Sequence, residues 1–185
     1  IVRVFHRAAL AGDDQQLRRP ALKEAMMNHW LFKTEPETFS WEMQKKRGAK
    51  GEPWSGVRNF AAAKHMKAMK KGDRVYFYHS NASPSAVAGI AEVAKEAYPD
   101  STALDPKHDH FDPKSKKDDP TWFMVDIKAV EKLKRPVSLD EIKKSTALAG
   151  MALVKLGRLS VSPVTEAEWN TIVAMANKPA ASPAR

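Results

Sequence analysis

The sequence predicts an α+β domain built around a compact, barrel-like sheet. Short apolar and aromatic runs, of a length suited to strands, alternate with segments that carry helix-start signals, and they lack the regular spacing of repeated βαβ units. At 185 residues with 43% hydrophobic composition, the chain can bury one sizeable core, and this length favours one domain over two.

The first predicted elements are a short strand and a short helix. The apolar run over residues 30–33 is typical of a strand and ends before Pro36. Ser40 is a favourable N-cap residue, so we expect a helix from there to about Lys46. A glycine-containing loop follows this helix.

The alanine-rich segment after residue 58 is predicted to form a second helix. Asn59 is a good N-cap, and Ala62, Met66 and Met69 share one face at helical spacing, which assigns both methionines to the core. Gly72 stands at a position suited to the C-terminal cap of this helix.

Three further strands are predicted downstream. The aromatic run over residues 74–79 is followed by a turn over residues 80–85, then by strands over residues 87–93 and 122–130. Alternation in the last strand predicts three inward-facing side chains, namely Phe123, Val125 and Ile127.

Two C-terminal helices carry capping-box signals. Ser138 is followed three residues later by Glu141, and Thr165 is followed in the same way by Glu168. Each pair predicts the first residues of a helix.

A change in composition near residues 26 and 27 predicts the domain boundary. We expect residues 1–26 to be an N-terminal extension, disordered or arising from a non-native start, and residues 27–177 to form the domain. Residues 178–185 are expected to be a flexible tail.

Charge and composition restrict the partners. With 31 Lys and Arg against 22 Asp and Glu, the formal net charge of +9 favours acidic partners such as nucleic acid, although many basic proteins bind no anion specifically. The absence of cysteine excludes disulfides, thiolate zinc sites and cysteine nucleophiles. No apolar run approaches the about 18 residues that a bilayer span requires, so no membrane contact is expected.

Catalytic and metal-binding signals are weak. The common nucleophile, phosphate-loop, dinucleotide and zinc-protease motifs are absent. His108, His110 and Asp112 have spacings that a metal could use, but a solvated loop between two prolines explains them without a metal and is favoured. His79 and Ser80 are neighbours in a strand and therefore face opposite sides, so they do not form a nucleophile and base. We expect neither a metal nor a cofactor.

The segment WSGVRN, residues 54–59, combines the parts of a nucleic-acid site. Trp54 can stack on a base, Gly56 allows close approach to the backbone, and Arg58 can contact phosphate. Asn59 begins a helix whose free amides favour anions. The alternative is structural: Trp54 packs in the core, Arg58 pairs with a carboxylate, and Asn59 only caps the helix.

Six segments occur in an order that resembles the EVE domain family of the PUA-like superfamily. They are KTEP (33–36), WSGVRNF (54–60), GDRVYFYHS (72–80), AYPD (97–100), WFMVD (122–126) and RLSV (158–161). The resemblance extends from about residue 28 to residue 176. It implies a PUA-like fold, in which a mixed β pseudo-barrel is surrounded by helices.

The resemblance also implies a non-catalytic reader whose pocket accepts a flipped, modified base, with modified cytosine in DNA favoured. Comparison with YTH domains would place an aromatic cage around the modification. Two positions depart from the usual family pattern, because Thr34 stands where serine is common and Phe60 where tyrosine is common. The implied binding residues are Lys33, Thr34, Glu35, Trp54, Gly56, Val57, Arg58, Asn59, Tyr78, His79, Ser80, Arg158, Leu159 and Ser160.

Two other functions stay open. PUA-like domains often bind RNA, and nothing in the sequence shows how a 2′-hydroxyl would be read. Related pockets can also host hydrolysis of modified nucleosides, here through Lys33 and Glu35, although these two residues can equally form an ion pair. We further expect a monomer located in the cytoplasm.

Overall fold

The computed structural model describes residues 27–179. The expected extension, residues 1–26, lies outside the described residues, as do residues 180–185 of the expected tail. The strands are β1 (His29–Thr34), β2 (Glu52–Pro53), β3 (Arg74–His79), β4 (Ala86–Pro99), β5 (Phe123–Ser138) and β6 (Val161–Val164). The helices are α1 (Trp41–Lys46), α2 (Phe60–Ala68), α3 (Leu139–Lys144), α4 (Ala152–Lys155) and α5 (Glu166–Asn177).

The strands form one mixed sheet in the order β2-β5-β4-β3-β1-β6. β1 runs parallel to β3, and the other neighbouring strands are antiparallel. The long β4–β5 ribbon shifts register at several points, and such bulges bend and twist a sheet. The predicted α+β class, a mixed sheet with helices packed around it, is confirmed.

The central strands β1 and β3 are buried on both faces, so their alternating side chains contribute to two separate core clusters. One cluster packs against α1 and α2 and includes Trp30, Phe32, Trp54, Val75 and Phe77. The other packs against α3 and α5 and includes Leu31, Tyr76, Tyr78, Ile142 and Trp169. The two clusters therefore present different residues to the two faces of the sheet.

The predicted helix starts are confirmed. The Ser40 side chain accepts a hydrogen bond from the Met43 amide, and Asn59 Oδ1 accepts from the Ala62 amide at 3.0 Å. Ser138 and Thr165 each form a complete capping box with the glutamate three residues later. Within residues 27–179, no helix is long and apolar enough to cross a membrane.

The sequence predicted that Gly72 caps α2, but the structure shows that it does not. The helix ends at Ala68, and Met69, with an extended backbone, is its C-cap. Gly72 has φ +95° in the turn before β3, and its amide donates to the Val93 carbonyl at 2.9 Å. The glycine therefore serves the turn between α2 and β3 rather than the helix end.

The strands also differ from prediction in length and facing. β4 and β5 extend well beyond the expected ends, and the short strands β2 and β6 were not predicted. Phe123 is only half-buried, whereas Met124 is buried together with Val125. The opposing strand shifts register between Lys95 and Tyr98, which interrupts strict alternation at this end of β5.

Gly89 allows α1 to lie directly on β4. A Cβ added to Gly89 would lie 2.4 Å from the Trp41 ring, which is closer than real Cβ atoms approach. We expect Gly89→Ala to lower the free energy of unfolding by about 1–3 kcal/mol, the usual cost of overpacking. Urea denaturation measures this as a lower midpoint. Gly150→Ala is the matched control because its added Cβ meets no atom within 4 Å.

Candidate functional site

A pocket of about 450 Å³ lies on the α1 and α2 side of the sheet. Its walls are the end of β1 and the turn after it, the segment 52–58, Ser160 just before β6, and the loop that contains His108 and His110. It is lined by seven of the residues expected from the sequence: Lys33, Thr34, Trp54, Gly56, Val57, Arg58 and Ser160. Seven further lining residues were not expected: Thr38, Phe39, Glu52, Pro53, Ser55, His108 and His110.

Trp54 forms the floor of this pocket. Its side chain is buried, and its ring centroid lies 5.1 Å from that of Phe32 and 5.7 Å from that of Phe77. Phe39 approaches the same ring edge-on at 6.3 Å and also lines the pocket. The packing alternative for Trp54 is therefore realised, and the same packing fixes the orientation of the ring where it lines the pocket.

The polar wall of the pocket consists of Lys33, Thr34 and Ser160. Contacts between β1 and its neighbours hold these residues in place. The Lys33 amide donates to the Ser160 carbonyl at 2.9 Å, which brings these two residues together. Lys33 Nζ donates to the Gly157 carbonyl at 2.9 Å, and burial lowers the pKa of this ammonium group. Thr34 Oγ1 donates to the Phe39 carbonyl at 3.3 Å, so the hydroxyl orders the turn after β1.

Asp100 joins the two loops that flank the pocket. Its carboxylate is almost fully buried and accepts hydrogen bonds from the Gly56 amide at 2.9 Å and from Arg58 Nη1 at 2.8 Å. Thr102 donates to it through both its amide and its hydroxyl. Burial alone would raise the pKa of the Asp100 carboxyl, but the hydrogen bonds from Arg58, Thr102 and Gly56 outweigh it and lower that pKa.

Arg58 is therefore engaged within the protein. Besides Asp100, its guanidinium donates to the His110 carbonyl from Nε at 2.8 Å and to Thr102 Oγ1 from Nη2 at 3.1 Å. The alternative that Arg58 pairs with a carboxylate matches these contacts. The residue lines the pocket while it holds the loop around His110 in place.

Gly56 permits the close approach of that loop. Its φ is +78°, and an added Cβ would lie 2.7 Å from the His110 ring. A side chain here would strain the backbone and displace His110 from the wall. Residues 108–111 are exposed, as the solvated-loop interpretation expects, but no sequence signal indicated the contact between His110 and Gly56.

The histidine segment does not gather a metal site. Asp112 turns towards Trp122, whose Nε1 donates to its carboxylate at 2.6 Å, and the His108 and His110 rings lie 5.3 Å apart. Across residues 27–179, no group of three His, Cys, Asp or Glu side chains is placed to hold a metal ion.

Three expected residues at the end of β3 lie outside the pocket lining. Tyr78 is buried in the cluster under α3 and α5, on the opposite face of the sheet from Trp54. His79 Nε2 accepts from the Trp41 amide at 3.0 Å, and burial lowers the pKa of its imidazole. Ser80 Oγ donates to the Thr34 carbonyl at 3.3 Å.

The remaining expected residues also have other placements. Glu35 is exposed and accepts from Asn81 Nδ2, so it makes no pair with Lys33. Asn59 caps α2, and Leu159 is buried in the core. Arg158 is exposed on the turn that Lys33 holds through Gly157.

The fold and the pocket together define a PUA-like α+β domain with an aromatic floor and a polar wall at one edge of β1. Such a pocket suits a flat, polar ligand that stacks on a ring and hydrogen-bonds at its edge. The chain belongs to the EVE domain family, whose model matches residues 28–175.

The relatives agree with this assignment. Thymocyte nuclear protein 1 from Homo sapiens is 37% identical over 190 residues, which cover 92% of this chain and 84% of that protein. A crystal structure of human THYN1 in complex with 5-methylcytosine-containing DNA matches with TM-score 0.78 and 37% identity, over 82% of this chain and 99% of that one. A hypothetical protein from Leishmania major matches with TM-score 0.77 and 45% identity, over 82% and 96%.

The cytoplasmic location expected from the sequence is corrected by these relatives. The curated relatives from human, mouse and rat carry the name thymocyte nuclear protein 1, which conflicts with a cytoplasmic assignment. Composition and the lack of cysteine gave no information on compartment that could outweigh this finding.

The lowered pKa of Asp100 predicts a pH-dependent contribution to stability. The carboxylate stabilises the fold fully above its ordinary pKa of 3.8, and this contribution is lost as the pH falls through the lower folded-state pKa. We expect Asp100→Asn to cost about 1.5–3 kcal/mol at pH 7, because hydrogen bonds to a charged group are lost. The cost should shrink when unfolding is measured below pH 3.8.

Denaturant unfolding at both pH values measures this difference. Asp118→Asn is the control, since Asp118 is exposed in the segment before Trp122. A cost of Asp100→Asn that stays constant across both pH values would show that the ionised carboxylate is not the stabilising group.

Proposed function

We propose that this protein is a non-catalytic reader of modified bases in nucleic acid, and that DNA containing a modified cytosine is its preferred ligand. The observation that carries the proposal is the pocket itself, whose lining combines the aromatic rings of Trp54 and Phe39 with the polar side chains of Lys33, Thr34 and Ser160. Its volume of about 450 Å³ lies within the range of about 300–1,000 Å³ typical of small-ligand pockets.

The relatives support the same ligand. The human THYN1 structure, which shares the fold over 99% of its chain, was solved in complex with 5-methylcytosine-containing DNA. We therefore assign the base-binding role to Trp54, Phe39 and the polar wall. Gly56, Val57 and Arg58 complete the lining, and Arg158 is exposed two residues from Ser160, where it is available for a phosphate contact.

A base enters such a pocket only after it leaves the stack. Flipping costs a few kcal/mol, and stacking on an aromatic ring returns about 1–3 kcal/mol per base. The net charge of +9 supplies attraction to the phosphate backbone that does not depend on sequence. Binding therefore has two separable parts, a charge-driven part that salt weakens and a pocket part that depends on the base.

Discrimination between modified and unmodified cytosine should be moderate. A methyl or hydroxymethyl group adds little apolar area, and one extra carbon in a pocket changes the binding free energy by about 1–3 kcal/mol. The protein should therefore prefer the modified base without excluding the unmodified one.

Blocking the pocket tests the proposal. Ser55 is exposed and lines the pocket, so Ser55→Trp should fill the pocket without disturbing the core. We expect wild-type protein to bind duplexes with methylated or hydroxymethylated cytosine more tightly than the unmodified duplex, at low and at high salt. In Ser55→Trp this preference should disappear, while the salt-dependent affinity common to all three duplexes remains.

Fluorescence anisotropy with duplexes that differ only at one cytosine measures both parts. Ala147→Trp adds the same side chain at an exposed position of the 3-10 turn between α3 and α4 and should leave the preference unchanged. Equal affinities of the wild type for all three duplexes would contradict the modified-cytosine proposal. Tighter binding of a matched modified RNA in competition would move the ligand class to RNA, and release of free base or altered nucleoside on chromatography would contradict a non-catalytic role.

A further inference from the structure

Phe60, the first residue of α2, presents an aromatic ring to solvent. It is 74% exposed, the most exposed of the large hydrophobic side chains within residues 27–179. One side of the ring rests on Trp122, with ring centroids 4.9 Å apart and planes tilted by 31°. A single exposed apolar side chain is common on protein surfaces, so a contact surface is indicated here only by what supports and surrounds this ring.

Trp122 holds this ring in a fixed position. It is buried, and it packs with Ala63 of α2 and Ala103 in a small core cluster. Its Nε1 donates to the Asp112 carboxylate at 2.6 Å. The Phe60 ring therefore stands on a support that is itself fixed by packing and by a hydrogen bond.

The ring lies close to the base pocket. Arg58 lines the pocket, and its guanidinium carbon lies 5.6 Å from the centroid of the Trp122 ring that supports Phe60. Two residues of extended chain span at most about 7 Å, so Phe60 is near the pocket wall formed by Arg58. Flipping one nucleotide leaves a face of each neighbouring base unstacked, so a ring beside the pocket can stack on one of these faces.

Two lysines lie on the same face of α2 as the ring. Lys64 and Lys67 follow Phe60 at the i+4 and i+7 positions of α2, and both are exposed. Lys67 Nζ also lies 4.0 Å from the centroid of the Phe123 ring, which holds its charge on this surface. An exposed ring flanked by lysines complements the bases and phosphates of a nucleic acid.

From this arrangement we propose that Phe60 is a stacking platform for the base adjacent to the flipped nucleotide, with Lys64 and Lys67 contacting the phosphates that follow. The proposal extends the reader function above and rests on it. The pocket distinguishes one base from another, whereas the platform binds any neighbouring base, because every base has a flat face.

The test compares Phe60 variants on the duplexes described above, measured by anisotropy. Phe60→Ala should weaken binding about 5- to 150-fold, the loss expected for one aromatic–base stack, and it should do so equally for modified and unmodified duplexes. Phe60→Tyr keeps the ring and should bind as the wild type does. Phe60→Leu keeps apolar bulk without a flat ring and should resemble Phe60→Ala. Val130→Ala, which trims an exposed side chain beside the cavity lined by His29 and Trp169, is the control and should have no effect.

A second readout reports stacking directly. The duplex carries 2-aminopurine beside the modified cytosine, and its fluorescence on saturation with wild-type protein should differ from that on saturation with Phe60→Ala. Unchanged affinity of Phe60→Ala, wild-type affinity of Phe60→Leu, or identical 2-aminopurine signals would each overturn the platform.

The same data separate the two proposals. A loss in Phe60→Ala, when the wild type shows no preference for modified cytosine, supports the platform and contradicts the reader. A wild-type preference for modified cytosine that persists together with full affinity in Phe60→Ala overturns the platform and leaves the reader in place.

Discussion

The pocket depends on the hydrogen bonds that the buried carboxylate of Asp100 accepts. It accepts hydrogen bonds from the Gly56 amide, from Arg58 and from Thr102, and so joins two loops that are about forty residues apart in the chain. Removing a carboxylate from water costs free energy unless its oxygens accept hydrogen bonds. Here donors from both loops supply those hydrogen bonds to the buried Asp100. The pocket wall around His110 is held in turn by Arg58.

The sheet determines which side chains can reach this pocket. Alternation along β3 sends Phe77 to the Trp54 side and Tyr78 to the opposite cluster. The family resemblance grouped Tyr78 with the pocket because it lies in the matched segment GDRVYFYHS, and a motif match does not show on which face of a strand a side chain lies. Because the central strands are buried on both faces, the face on which each side chain lies is fixed. A register slip of one residue would exchange the side chains of the two cores.

Local patterns predicted much of the fold, and long-range contacts account for the rest. The caps at Ser40 and Asn59 and both capping boxes follow from residues within one helical turn, so the sequence reveals them. The pairing of Arg58 with Asp100 and the insertion of His110 against Gly56 join distant segments, and no periodicity indicates them. Seven pocket residues followed from family motifs, whereas His108 and His110 lie in a segment outside those motifs.

The contacts of Arg58 indicate that different residues shape the pocket and attract a phosphate backbone. Because its guanidinium is already engaged by Asp100, Thr102 and the His110 carbonyl, it shapes the pocket wall instead of standing free for phosphate. Attraction to a phosphate backbone then falls to exposed cations outside the pocket, such as Lys64, Lys67 and Arg158. Salt screens exposed charges much more than buried contacts, so ionic strength should change how tightly the protein binds nucleic acid while leaving its choice of base largely unaffected.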